Sequence, residues 1–267
     1  MKTLSRIYNA LIFLFLYAPI FVIVIFSFNS GSSRARFDGF SLQWYERLFE
    51  DGMILRSLYY SLIIAVLSAL IATLIGTLAA VGINALRGPV KSAYLSVNNI
   101  PVVNPEIVTA ISMMILFVFI LSLFRGSVEM GFGTLLIAHI TFNIPYVVLS
   151  VLPKLRGMDK NIYYAALDLG CPPAKSFVKV VIPQIMPGIV SGLIMAFTLS
   201  LDDFVISYFN SGAAFQTLPV TIFSMTKKPY SLKLNALSTL MFTVVLILMV
   251  AVNLKKPASG KKAAKTK

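Results

Sequence analysis

Six stretches of this chain are each apolar for about as long as a helix needs to cross a bilayer, and nothing else in the sequence limits the fold so strongly. They fall near residues 7–28, 58–86, 107–124, 135–152, 184–209 and 236–254. A hydrocarbon layer of ~30 Å takes about 20 helical residues to cross. Lipid offers no hydrogen bonds, so the backbone N–H and C=O groups of each stretch must pair within it, which requires helices. The expected fold class is therefore an all-α membrane protein of six transmembrane helices, in keeping with 58% hydrophobic and only 12% charged residues. The first run follows Lys2 and Arg6. It is too long for a signal peptide and has no obvious small-x-small cleavage pattern, so it reads as a retained span.

The formal charge of +13 belongs to basic residues set between the apolar runs. That pattern marks membrane topology and lipid-headgroup contact, and it argues against a nucleic-acid partner. With the amino terminus in the cytoplasm, 15 of the 23 Lys and Arg residues lie inside, including Arg87, Lys91, Lys154 and Lys179. The outer side then receives Arg34, Arg36, Arg47, Arg56, Arg125, Lys227, Lys228 and Lys233. Both termini are expected in the cytoplasm. Residues 1–254 read as one membrane domain without internal repeats, and 255–267 as a basic cytoplasmic tail that is solvated or rests on headgroups. A single Cys171 and a single His139 exclude a disulfide framework and paired-Cys or paired-His metal sites.

The connection between the fourth and fifth runs, 153–183, is long for a helical bundle and should carry structure of its own. Asp159 can cap a short helix whose Ile162, Ala165, Ala166 and Leu169 share one face. Gly170 suits the left-handed position that ends such a helix, and Pro172 and Pro173 stop its continuation. A second short helix can start at Pro173, bury Phe177, Val180 and Val181, and break where Pro183 and Pro187 lead into the fifth span.

Within this loop, Tyr164-Ala165-Ala166-Leu167-Asp168-Leu169-Gly170, followed by Ile182-Pro183, resembles the Glu-Ala-Ala signature of ABC importer permeases. The likeness extends through Phe28-Asn29, Trp44-Tyr45, Asn104-Pro105-Glu106, His139-Ile140-Thr141-Phe142, Ser200-Leu201-Asp202-Asp203 and Leu234-Asn235-Ala236. The chain is thus similar to the binding-protein-dependent (MetI-like) permeases, and among them to the C-type permease subunits of spermidine/putrescine importers. The resemblance implies a type I ABC importer permease fold in the bacterial cytoplasmic membrane, with a cytoplasmic coupling helix in 158–183 that docks into an ATPase subunit. It implies as partners a second homologous permease subunit, two copies of a cytoplasmic ATPase, an extracellular or periplasmic substrate-binding protein, and membrane lipid. ATP and Mg would be bound by the ATPase, with no cofactor or metal in this chain, which has no G-x-x-x-x-G-K-[ST] phosphate loop. In one departure, Tyr164 stands where the family has Glu, so a salt bridge from that position is not available. Docking is then expected to rest on the small Ala165 and Ala166, with Asp168 as a nearby carboxylate.

Five residues are candidates for the substrate pathway. Asp202 and Asp203 lie about 25 Å along the fifth span from Ile185, toward its outer end. With Tyr208 and other aromatic residues near them, they can attract a polyamine by charge and by ammonium contact with ring faces, or simply end the helix among headgroups. Glu106 follows Asn104 and Pro105 as a first-turn acid, with Asn104 as N-cap, or else sits where Pro101 and Pro105 break a longer segment and expose it to the pathway. Trp44, beside Tyr45, is an interfacial anchor or a contact for a cation or an external protein. His139, inside an apolar run, reads as packed and hydrogen-bonded rather than as a proton relay, since no titratable neighbour flanks it in sequence.

Catalytic readings find no support in the motifs. An intramembrane aspartyl protease needs Gly-x-Gly-Asp where Ser200-Leu201 precede Asp202, and a metalloprotease needs two histidines. The remaining alternatives are a permease of a related ABC importer for another small solute, or an ion-gradient-driven secondary transporter.

Overall fold

The computed structural model describes residues 2–33, 36–123, 129–212, 215–227 and 232–254. The tail from 255 onward, and Arg34, Arg125 and Lys228 of the charge pattern, lie outside the described residues. Among the described residues the named elements are all helical, with one isolated antiparallel bridge between Asn29 and Phe40. In order come α1 (Lys2–Phe26), α2 (Gln43–Phe49), α3 (Gly52–Ala85), α4 (Gly88–Val103), α5 (Glu106–Leu123) and α6 (Phe132–Arg156). The 153–183 connection and the fifth span contribute α7 (Lys160–Asp168), α8 (Pro173–Ser176), a π-helical segment (Phe177–Val181) and α9 (Ile182–Asp202). The chain ends with α10 (Val205–Asn210), α11 (Leu218–Thr226) and α12 (Lys233–Leu254).

Five helices among the described residues are long and apolar enough to cross a membrane: Arg6–Phe26, Gly52–Ala85, Glu106–Leu123, Phe132–Arg156 and Pro173–Asp202. These match the first five expected runs with two corrections. The fifth span expected over 184–209 stops at Asp202, because the backbone turns extended at Asp203 and restarts as α10. The break expected at Pro183 and Pro187 does not occur, since α8, the π-helical segment and α9 run as one helical path from Pro173. Pro183 falls in the first turn of α9, where its missing N–H costs little, and only Pro187 lies inside. The sixth run corresponds to α12. Residues 88–103, between the second and third expected runs, form α4, which has no buried residue.

The chain divides into two compact units, one of 1–54 with 224–267 and one of 55–223. In the first, α12 packs on α1 and α2, and Trp44, Leu232 and Ala236 form its core. The Asn29 side chain folds the segment after α1, its Nδ2 donating to the carbonyls of Ser33 (3.2 Å) and Arg36 (2.9 Å) and its Oδ1 accepting from the Asp38 N–H at 2.8 Å.

The second unit is built on α6 and α9, whose Val147, Val148, Val151, Leu155, Ile185 and Ala196 share one apolar core with Ala69, Ala80 and Ile83 of α3. Without a hydrophobic drive between helices in lipid, close approach through small residues supplies the packing. Gly76 of α3 shows this: a Cβ there would sit 2.7 Å from Val147 Cβ and 3.2 Å from the Ile144 carbonyl oxygen. At 34 residues α3 is about 51 Å long, well beyond the hydrocarbon thickness.

Candidate functional site

The 153–183 connection folds at its two ends as its residues dictate. Asp159 caps α7 by accepting the Asn161 N–H at 2.9 Å, and Gly170 ends it at φ +81. Its orientation is less expected. Tyr163 and Phe177 pack against the apolar core of the second unit. Ile162 and Leu169 point outward, Leu169 at 88% exposure. Tyr164, Ala165, Asp168 and Gly170 are also exposed and Ala166 is partly so. The signature therefore forms an exposed surface of small and apolar groups, standing on helices rooted in the core. Ile182 is half-buried and Pro183 exposed, both at the base of α9.

At the far end of α9 the two adjacent aspartates part. Asp202, the last residue of the helix, is exposed. Asp203 is buried, and both its oxygens are engaged at the start of α10: Oδ1 accepts the Ile206 N–H at 3.2 Å and Oδ2 the Ser207 N–H at 2.7 Å. Asp203 is a helix cap, which leaves Asp202 as the carboxylate on offer.

Glu106 is exposed at the start of α5. Asn104 closes α4 instead of opening α5, its N–H donating to the Ile100 carbonyl at 3.0 Å with extended dihedrals. The Pro105 carbonyl accepts the Val108 N–H at 3.0 Å, so the chain breaks between α4 and α5 and presents Glu106 beyond the break. The Glu106 carboxylate lies within electrostatic reach of both Asp202 and the half-buried Tyr146 of α6. The fold thus brings together two acids that the sequence holds far apart, and among the described residues neither is in an ion pair. Phe204, two residues after Asp202, clusters with Tyr208 and Phe223, its ring centroid 4.7 Å from that of Phe223 and 5.4 Å from that of Tyr208. Two carboxylates without cationic partners among the described residues, on a segment rich in aromatic rings, are suited to an ammonium-bearing ligand.

Trp44 belongs to the first unit. It is 7% exposed, its Nε1 donates to the Asn29 carbonyl at 2.7 Å, and the Arg47 guanidinium lies 5.0 Å from its ring centroid. It anchors the segment after α1.

His139 is fully buried, and both ring nitrogens have partners: Ser200 Oγ at 2.7 Å from Nδ1 and Ser207 Oγ at 3.1 Å from Nε2. Asp203 Oδ2 is 3.6 Å from Nε2, a titratable neighbour that lies on another element and was invisible in the local sequence. Tyr146, Ser68, Ser207 and Asn143 also escaped the sequence reading, and Ser200 entered it only as part of a motif. The buried serines carried one usable signal, polar residues recurring in otherwise apolar spans.

The comparisons with known proteins agree with this architecture. The family model described as "Binding-protein-dependent transport system inner membrane component" matches residues 72–254. The chain belongs to that family. It is 36% identical over 247 residues to the spermidine/putrescine transport system permease protein PotC of Haemophilus influenzae, covering 92% of this chain and 94% of the relative. It is 39% identical over 236 residues to the putrescine transport system permease protein PotI of Escherichia coli K12, covering 87% and 83%. Among solved structures, a bacterial ABC transporter involved in the import of the acidic polysaccharide alginate shares the fold with a TM-score of 0.68 at 12% identity, over 97% of this chain and 96% of that one. An amino acid ABC transporter does so with a TM-score of 0.53 at 17% identity, over 79% and 95%.

Proposed function

We propose that this chain is the permease subunit of an ATP-driven polyamine importer, supplying half of the translocation pathway for spermidine or putrescine. The observation that carries the reading is identity of 36% and 39% over most of the chain to permeases named for these two amines. The pairing of Glu106 with Asp202, on a segment rich in aromatic rings, supports it, because an extended polycation needs more than one carboxylate along its path.

The chain spans the bacterial cytoplasmic membrane six times, through α1, α3, α5, α6, α9 and α12, with both termini in the cytoplasm. It pairs with a second homologous permease subunit, and a binding protein outside the membrane delivers the solute. Two cytoplasmic ATPase subunits hold the ATP and Mg, and this chain carries no catalytic group. Each ATPase takes a coupling helix, here α7, into a surface cleft. With Tyr164 in place of the usual acid, docking uses the exposed small and apolar face of Ile162, Ala165 and Leu169. Closure of the ATPase pair displaces α7, and the helical path from Pro173 to Asp202 carries that displacement about 45 Å to the pathway residues.

The test is uptake of labelled putrescine and spermidine by cells carrying the chain with its neighbouring subunits. Glu106→Gln and Asp202→Asn should each lower uptake about tenfold, corresponding to roughly 1.4 kcal/mol of cation binding, with the assembled complex present in normal amount. Undiminished uptake in the double variant would remove both residues from the pathway. Uptake that persists after the ATPase is inactivated would overturn the importer reading.

A further inference from the structure

The buried polar groups around His139 form a directed chain. Ser68 Oγ of α3 donates to Ser200 Oγ of α9 at 3.0 Å, which leaves the Ser200 hydroxyl proton for His139 Nδ1 at 2.7 Å. A neutral imidazole that accepts at Nδ1 carries its proton on Nε2. That proton faces Ser207 Oγ at 3.1 Å, and Ser207 in turn hydrogen-bonds Asp203 through its backbone N–H and its hydroxyl. With Ser68 taking the shorter of its two acceptors, Ser200 over the Ala65 carbonyl at 3.4 Å, and with this imidazole tautomer, the donors of the series point toward the Asp203 carboxylate, where α9 breaks and α10 begins. Asn143 approaches the head of the chain, with Nδ2 3.5 Å from Ser68 Oγ.

This arrangement has a mechanical effect. Ser200 lies in the last turn of α9 and Ser207 in the first turn of α10, so the one imidazole from α6 bridges the break between them. At its other end α10 is tied to α5: Asn210 Nδ2 donates to the Ala110 carbonyl at 3.2 Å, one turn beyond Glu106. Asp202 sits between the clamped ends, and Glu106 sits beside the α5 tie. An apolar residue at 139 would leave Ser200 and Ser207 buried with one partner each missing, and the break would lose a side chain that spans it.

We propose that His139 is a positioning residue: it staples α9 to α10 and thereby holds Asp202 at its working separation from Glu106. Its importance for transport rests on the cation-site reading above; its geometric role does not.

The test uses the full chain co-expressed and purified with its partner subunits in lipid nanodiscs. Spin labels at Glu106→Cys and Asp202→Cys, in a Cys171→Ser background, report the separation of the two positions by pulsed electron resonance. His139→Leu should broaden or shift that distance distribution, and His139→Gln, which keeps one donor and one acceptor, should leave it narrow. If His139→Leu does not assemble, Ser207→Ala, which removes only the α10 side of the staple, should give the broadened distribution. An unchanged distribution in His139→Leu, or in Ser207→Ala where that variant takes its place, overturns the proposal. Uptake supplies the second readout. His139→Leu should lower it about tenfold in the unlabelled chain, since displacement of a binding group by ~1 Å carries losses of that order or larger. In an Asp202→Asn background it should cause no further loss, because the two changes act through the same carboxylate. Losses that multiply would show a structural role unrelated to Asp202 and overturn the proposal. Normal uptake in Asp202→Asn alone, with the distance still perturbed by His139→Leu, would sink the cation-site reading and leave the staple standing.

Discussion

Asp202 and Asp203 are consecutive residues with opposite environments: the first is exposed at the last position of α9, the second is buried and gives both carboxylate oxygens to the N–H groups that open α10. Their substitutions should therefore separate function from stability. Asp203→Ala should lower the stability of the purified protein by about 1–2 kcal/mol, the usual worth of such a cap. Asp202→Asn should leave the melting temperature in detergent unchanged while uptake falls. Equal melting temperatures for the two variants would contradict the assignment.

Gly76 and Gly82 lie on the same helix in different surroundings. A Cβ at Gly76 meets Val147 and the Ile144 carbonyl, whereas nothing lies within 4 Å of one at Gly82. Gly76→Ala should destabilise the protein by about 1–3 kcal/mol through overpacking. Gly82→Ala should be neutral, or stabilising by up to about 1 kcal/mol from helix propensity. Thermal denaturation of the two variants side by side checks both.

In the first unit Lys233 Nζ meets Asp51 Oδ2 at 2.8 Å, both side chains about a quarter exposed. Burial acts to raise the Asp51 carboxyl, but the Lys233 ammonium and the N–H groups of Ile54 and Met53 outweigh it and hold the acid below its ordinary value of 3.8. The folded state then binds this proton less readily than the unfolded one, so the stabilisation is complete above about pH 4 and is lost as pH falls through the lowered value. Asp51→Asn should cost at most about 1 kcal/mol at neutral pH. Its stability should converge with that of the native chain in acid, as followed by denaturation from pH 7 to 3.

Leu169 is exposed at the end of α7 and Gly170 holds a left-handed conformation. Leu169→Glu should leave the chain's own stability unaltered and abolish copurification of the ATPase. Gly170→Ala should cost about 1 kcal/mol of loop stability and weaken copurification by misaligning α7. Retained ATPase binding in Leu169→Glu would move the docking surface elsewhere.

Trp44 is packed against Leu232 and Ala236 and hydrogen-bonded to Asn29. Trp44→Ala should destabilise the first unit by about 3–5 kcal/mol. Trp44→Phe, which retains most of the volume, should lose chiefly the hydrogen bond, about 1 kcal/mol. Protease protection of the segment between α1 and α2 distinguishes the two.

The long apolar runs made the bundle legible, because lipid forces every such run into a helix whatever its neighbours are. The ends of α7 were legible for a different reason: Asp159 and Gly170 act on backbone groups within a few residues of themselves. The face that α7 presents was not legible. Ile162, Ala165, Ala166 and Leu169 form a regular apolar stripe, yet periodicity cannot say whether a stripe faces its own core or another chain, and Tyr163 took the inner position. The break at Asp203 was hidden because Phe204 to Phe209 continue the apolar composition of α9. The meeting of Glu106 with Asp202, and of His139 with Asp203, depends on which helices pack together, and that information is spread over the whole bundle.

No non-helical residue interrupts the path from Pro173 to Asp202, although a π-helical stretch lies within it. A helical strut of this kind can bend only where its hydrogen-bond ladder is disturbed, at the π-helical stretch and at Pro187. On the coupling proposed above, a displacement imposed at Pro173 would arrive at Asp202 as a shift or a turn, less the bending taken up at those two places.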